Sequence, residues 1–521
     1  MRKRFHLVST LFLLFALAPS LMAFQAPAPP SVPPPVGVVD DEMAVVTKHQ
    51  IMVDGKPLKY TARAGFLPIR DQFGETKAQW FYIAYTADEI GKKDQRPVTF
   101  IWNGGPGSPS SPLHFQLLGP RRRLTGGESA STPAYPVVDN NETLLRYTDL
   151  VMVDPVGTGY SYPVRPEYGT LFWGVQQDLD SVAEFIRIYL THSGALGAPI
   201  FLVGESYGTF RAAGVAAKLV DKEYLLMGVV MISSVLNMQN EGGEMSLFLA
   251  LPSCTAEAFF HKKLPPDLQK DLGETLRQAE EWAAAEYIVA LMKGDRLGDT
   301  EREAVASKLA RFTGLDKAFI EKNNLRVSVD QFGQQLLASE KKAIGHYDSR
   351  VAAEIKGSSY DAGDDPSLFA RGGNPFLFTT YLRSELDIKL DRPYQGPFGG
   401  FWPPSKTPRG DWMAMRWDWG NLLDSKLDQA AALSRALRMK DDLRVMFVSG
   451  LYDLATPYFS TDHEISHLGL DPKLRGHVEH KRYAGGHMMY EDNEARLKLI
   501  RDIAAFVQGA LAAGKKDRTE P

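Results

Sequence analysis

Gly204-Glu205-Ser206-Tyr207-Gly208 sets a serine between two glycines at the end of an apolar run, "PIFLVGESYGTFRAAG". A serine hydroxyl is a weak nucleophile until a base takes its proton and fixed N–H groups await the charge on the attacked carbonyl. Flanking glycines permit a sharp strand-to-helix turn that holds Ser206 Oγ clear of the chain and aims the next N–H, that of Tyr207, at the reacting carbonyl. The base must be a histidine oriented by an acid, and on such a scaffold both follow the serine, each after a late strand. Asp453 follows the apolar run "RVMFVSG" in "SGLYDLATP", and His487 sits in the Gly-Gly turn of "YAGGHMMY". His114, His261 and His346 have no glycine turn to present them. His477 and His480, in "GHVEH", have a spacing that suits a metal but no third ligand nearby, and they read as an exposed pair. A second oxyanion donor is expected in "FIWNGGPGSPSS", where a strand runs into Asn103-Gly104-Gly105-Pro106-Gly107. Glu205 is the odd member of the set, because a negative charge beside Ser206 opposes an oxyanion.

These groups need a rigid frame. "RPVTFIWNGG", "DLVMVDPVGTGYSY", "PIFLVGESYG" and "LRVMFVSGLYDLATP" are short apolar runs ending in turns. With the amphipathic helix "DLDSVAEFIRIYLTHS" among them, they predict a mostly parallel sheet covered on both faces. Ahead of it, Asp54-Gly55 between strand-like runs predicts a hairpin. From 245 to 435 helical periodicity takes over, as in "LPPDLQKDLGETLRQAEEWAAAEYIVALMKG", and the buried-strand pattern returns afterwards. The expected organisation is an α/β domain in two parts, 41–244 and 436–521, with a helical insertion over 245–435.

The 521 residues carry a net charge of −4 and 23% charged residues, which gives no basis for nucleic-acid binding. The triple Arg121-Arg122-Arg123 is too short to change that and reads as a solvated loop. "MRKRF" followed by "LVSTLFLLFALAPSLMA" reads as a secretory signal peptide over 1–23, cut after Ala23, and 24–40 as a proline-rich linker. An exported protein, periplasmic or secreted, with no stable membrane insertion after cleavage is the expectation. Cys254 is the only cysteine, so no intramolecular disulfide can form, and it reads as a packed thiol.

In this order, "WNGGPGSPSS", "DPVGTGYSY", "GESYGT", "SGLYDLATP" and "GGHMM" resemble the serine carboxypeptidase family, over about residues 75 to 510. The resemblance implies an α/β-hydrolase fold with a helical cap and removal of single residues from peptide C-termini, best at acidic pH, with no metal or cofactor. It implies Ser206 as nucleophile, His487 as general base and acid, and Asp453 as its orienter. Gly105 and Tyr207 N–H groups would hold the oxyanion, and Asn103 with Glu205 would grip the terminal carboxylate. A protonated Glu205 would donate to that carboxylate, which answers the electrostatic objection. Two departures stand out. Ser108-Pro109-Ser110 occupies a stretch where the family commonly has Gly-Cys-Ser-Ser. In "FQLLGP", Leu117 stands where the family places a second acid, with Gln116 and the nearby arginines as possible substitutes. Ester hydrolysis or acyl transfer on the same site, and a peptide-binding relative without activity, are the competing expectations; a peptide or small acyl compound is the expected partner.

Overall fold

The computed structural model describes residues 43–88, 95–124, 137–238, 242–354, 365–367, 375–396, 417–420 and 427–516. The expected signal peptide and proline-rich linker lie outside them.

Ten strands form one sheet: β1 (Met43–Val53), β2 (Lys56–Arg70), β3 (Thr76–Ala87), β4 (Val98–Trp102), β5 (Asp149–Val153), β6 (Tyr162–Pro163), β7 (Ile200–Glu205), β8 (Leu226–Ile232), β9 (Arg444–Gly450) and β10 (Val478–Tyr483). Their order is β1-β2-β3-β5-β4-β7-β8-β9-β10, with β6 on β3. The first three strands are antiparallel, and β1 meets β2 at the predicted Asp54-Gly55 turn, where both residues have positive φ. From β5 to β10 every pairing is parallel.

The four strands β4, β5, β7 and β8 are buried along their whole length, which is why they read as continuous apolar runs. Alternate residues face two different cores. Phe100, Leu202 and Val229 pack with helices Val175–Ser193, Tyr207–Asp221 and Ala430–Met439 on one face. Ile101, Val203 and Val230 pack with helix Asn493–Lys516 on the other. The reading of a mostly parallel sheet covered on both faces holds.

Within 245–435 the packing divides. Helices Gly243–Phe260, Leu272–Trp282, Asp299–Thr313, Lys317–Lys322 and Val329–Gln335 gather around a core of their own, with Phe248, Trp282, Phe312 and Phe332 inside it. Helix Pro375–Ser384 joins the sheet instead. Its Tyr381 hydroxyl lies 2.8 Å from that of Tyr85, and Ala430–Met439 packs against the helix that follows Ser206.

Arg121-Arg122-Arg123 is not a solvated loop. It is a short strand paired with Val137–Asp139, and Arg122 and Arg123 are buried. Arg121 pairs with Asp139 and Glu385, and Arg123 with Glu491, so these charges are neutralised within the fold. Cys254 is buried, as expected of a packed thiol. Among the described residues no helix is long and apolar enough to cross a membrane.

Candidate active site

Ser206 occupies the turn between β7 and helix Tyr207–Asp221, at φ 57° and ψ −133°, a left-handed conformation that a non-glycine residue adopts at a cost. The turn is closed so tightly that a Cβ on Gly204 would lie 2.1 Å from Gly208 O. Glycine is therefore demanded there by space. Ser206 N donates to Ile232 O (2.9 Å) at the end of the adjacent strand. Its place at the start of a helix adds the positive end of the helix dipole to the site.

Asp453 and His487 meet one strand further on. His487 Nδ1 lies 2.8 Å from Asp453 Oδ2, with Asp453 fully buried and His487 nearly so. Asp453 Oδ1 accepts from the backbone N–H of Ala455 (2.8 Å) and Thr456 (2.9 Å), and Oδ2 also accepts from the Thr456 hydroxyl (2.6 Å). These donors pin the carboxylate so that it faces the imidazole, the orienting role that a base requires. His487 is anchored by its backbone as well. Its N–H donates to Tyr347 O (2.6 Å), and its carbonyl accepts from the Ser233 hydroxyl (2.6 Å). Ser233 directly follows Ile232, so Ser206 and His487 are tied to the same strand end.

The Asn103–Gly107 turn lies against the serine turn. A Cβ on Gly104 would sit 2.5 Å from Tyr207 N and 2.7 Å from Glu205 O, which brings the Gly104–Gly105 backbone next to the Tyr207 N–H. Gly105 has φ +106°. Asn103 and Glu205 follow the paired residues Trp102 and Gly204, and both are buried. Asn103 Oδ1 accepts from Leu113 N (3.1 Å), and its carbonyl accepts from the buried Arg211 guanidinium (2.8 Å).

Two features escaped the sequence reading. Tyr490, fully buried three residues beyond His487, donates its hydroxyl to Glu205 Oε2 at 2.5 Å. Tyr347 supplies the carbonyl that fixes His487 and packs edge-on against its ring, with centroids 5.3 Å apart. No glycine turn or apolar period marks either tyrosine in the sequence. Leu117, in place of an acid, is fully buried in the same apolar core as Tyr490. Gln116, with its amide turned to satisfy both neighbours, donates to Glu491 Oε1 (3.1 Å) and accepts from Arg123 (3.1 Å).

The other histidines fall elsewhere. His114 is buried against the Tyr85 hydroxyl (2.8 Å), and burial lowers its pKa to about 3. His261 contacts Ser349 O (2.7 Å). His477 and His480 are not an exposed pair, because both are partly buried. His480 lies between Asp462 (Nδ1 to Oδ1, 2.7 Å) and Ser449 (Nε2 to Oγ, 2.9 Å), forming a second Ser-His-Asp line. Among the described residues no cluster of three or more potential ligands could hold a metal ion.

The sheet order, the serine turn after a central strand, and the acid and histidine after the last two strands define an α/β-hydrolase. Within that class, residues 53–255 match the family model for serine carboxypeptidases, peptidase S10. Retinoid-inducible serine carboxypeptidase of Mus musculus is 29% identical over 27% of this chain and 28% of its own length. Pheromone-processing carboxypeptidase KEX1 of Yarrowia lipolytica is 31% identical over 26% of this chain and 22% of its own. The chain thus matches less than a third of the length of these curated relatives. In three dimensions the likeness is longer. The prohormone-processing carboxypeptidase Kex1 of Saccharomyces cerevisiae aligns over 85% of this chain and 91% of its own, with a TM-score of 0.51 and 15% identity.

Proposed function

We propose that this protein is a serine carboxypeptidase that removes C-terminal residues from peptides through an acyl-enzyme. The observation that carries the reading is the His487–Asp453 pair, held by Ser233 at the strand end that also fixes the strained Ser206 turn. In the reaction Ser206 Oγ attacks the scissile carbonyl carbon while its proton passes to His487 Nε2. Asp453, on the opposite ring nitrogen, stabilises the imidazolium that results. The oxyanion points to the N–H groups of Gly105 and Tyr207. As the C–N bond breaks, His487 returns the proton to the leaving amine. A water, deprotonated by His487 in turn, then releases the acyl group and restores Ser206.

Asn103 and Glu205 take the substrate's terminal carboxylate. Glu205 does so as the acid: Oε2 accepts from Tyr490, and a proton on Oε1 donates to the carboxylate, so binding strengthens as pH falls. With Leu117 in the core, the Tyr490 hydroxyl helps to steady Glu205. The basic start and apolar stretch read as a leader over 1–23 support a location outside the cytoplasm, periplasmic or secreted, and the proposed chemistry uses neither metal nor cofactor.

A second reading, ester hydrolysis or acyl transfer, draws on one observation: no second acid stands at position 117 to reinforce the carboxylate grip. Mass spectrometry of a peptide library with free and amidated C-termini, at acidic and neutral pH, separates the two. Residue-by-residue loss confined to free carboxylates is the expected result. Equal cleavage of both sets overturns the carboxypeptidase reading and leaves the broader acyl chemistry.

A further inference from the structure

N–H groups that receive an oxyanion must be fixed before the charge appears, yet Gly104, Gly105 and Gly208 are of the residue type that restrains its own backbone least. Contacts from outside the glycines have to hold them. Ser108 N donates to Gly104 O (3.1 Å), and because a trans peptide sets its C=O and N–H on opposite sides, that bond also directs the Gly105 N–H. It shapes the first loop but does not place it against the Tyr207 N–H.

Two side chains make that placement, one from each side. Trp102, the last residue of β4, donates its Nε1–H to Gly208 O (2.8 Å). In return Arg211, one turn into helix Tyr207–Asp221, donates from Nη1 to Asn103 O (2.8 Å). Arg211 Nε donates to Asp178 Oδ2 (2.8 Å) on helix Val175–Ser193, and both side chains are almost wholly buried. The guanidinium carbon stands 5.2 Å from the centre of the Tyr207 ring. One cation therefore meets the residue before the Gly104-Gly105 pair and also the side chain of Tyr207. The proton transfers assigned to Ser206, His487 and Asp453 make no use of it. A buried ion pair is also weak evidence for stability, because desolvation offsets its attraction.

We infer that Arg211, oriented by Asp178 and opposed by Trp102, is a positioning residue for the oxyanion hole, holding the Gly105 and Tyr207 N–H groups at a fixed separation. This role rests on the acyl transfer assigned to Ser206, Gly105 and Tyr207, and it serves peptide and ester substrates alike. Arginine suits it because a planar fork reaches two acceptors in set directions. Lysine, a single point donor, cannot hold Asn103 O and Asp178 in the same geometry. Arg211 is buried and acts through the two loops, so its loss is felt where charge develops on the substrate oxygen rather than in substrate binding.

The test compares the full chain with Arg211→Met, Arg211→Lys and the double variant Arg211→Met/Asp178→Asn. The substrates are an N-blocked dipeptide with a free C-terminus and a p-nitrophenyl ester of an N-blocked amino acid. Arg211→Met should lower kcat/KM by about 10²-fold on both, with Arg211→Lys in between. A peptide aldehyde adds a second readout: Ser206 Oγ bonds to its carbon, and the former carbonyl oxygen occupies the hole. Its affinity should fall in step with kcat/KM, while the matching peptide alcohol, which forms no adduct, should bind within about twofold of its original affinity. Asp178→Asn removes the carboxylate left unpaired in Arg211→Met, so the double variant should regain melting temperature without regaining kcat. Equal losses for aldehyde and alcohol, kcat that returns with the melting temperature, or Arg211→Met within about threefold of the unchanged chain would overturn the inference. If only the ester is cleaved and its rate falls as described, the positioning role stands and the carboxypeptidase reading falls. Dipeptide cleavage that Arg211→Met leaves unchanged keeps that reading and overturns the positioning role.

Discussion

Two Ser-His-Asp lines sit on the same sheet. One joins Asp453 and His487 with Ser206 on the neighbouring turn, and the other joins Asp462, His480 and Ser449 with short contacts throughout. Hydrogen-bond lengths alone would favour the second. Ser449, however, lies inside β9, is fully buried, and donates its proton to the Thr461 hydroxyl (3.3 Å). No carbonyl can reach it. Ser206 sits on a strained turn at the head of a helix, partly open, with two glycine-rich loops beside it. On the proposed roles, access and waiting N–H donors separate the Ser206 line from the Ser449 line, because acyl chemistry lies in stabilising the oxyanion as well as in moving a proton.

Substitutions can break the contrast. Ser206→Ala should lower kcat by roughly 10⁴-fold or more on any acyl substrate, while the fold stays intact by circular dichroism. Asp453→Asn should cost about 10³-fold or more, since the buried carboxylate that orients His487 is gone. Gly104→Ala should reduce kcat/KM by about 10²-fold, because its methyl collides with Tyr207 N and Glu205 O and pushes the two loops apart. Ser449→Ala belongs to the other line. It should leave kcat/KM within about twofold and lower stability by about 1–3 kcal/mol in urea unfolding, the cost of a lost buried hydrogen bond. A large loss of activity in Ser449→Ala would erase the distinction.

The smallest effect concerns Glu257 in the insertion, whose carboxyl group is fully buried. Burial raises its pKa well above the usual carboxylate range. The folded chain therefore holds a proton that the unfolded chain has released, and stability falls as pH climbs above the ordinary glutamate range. Glu257→Gln should flatten that slope, read as melting temperature between acidic and neutral pH. A slope unchanged by the substitution would mean that Glu257 is ionised in the fold.

The two lines also show what a sequence makes legible. Ser206 and Asp453 each stand at a turn after an apolar run, and Ser206 and His487 carry glycines beside them, so the local pattern announces them. His480 sits within a polar strand, and its pairing with Ser449 depends on the register of β9 against β10, which no local pattern records. Tyr347 and Tyr490 act through a carbonyl and a hydroxyl brought in by the tertiary fold. The helical periodicity around 272–282 is met by helix Leu272–Trp282, but the core it shares with the neighbouring helices depends on the tertiary fold. Arg121 and Arg123 were misread because ion pairing across the fold overrides the polarity of a charged run.

The most direct test is mapping the adduct of a fluorophosphonate by peptide mass spectrometry. A single adduct on Ser206, formed much more slowly in His487→Ala and at the normal rate in His480→Ala, is the predicted result. Absence of an adduct on Ser206, or an adduct on Ser449, would contradict the assignment of the catalytic line.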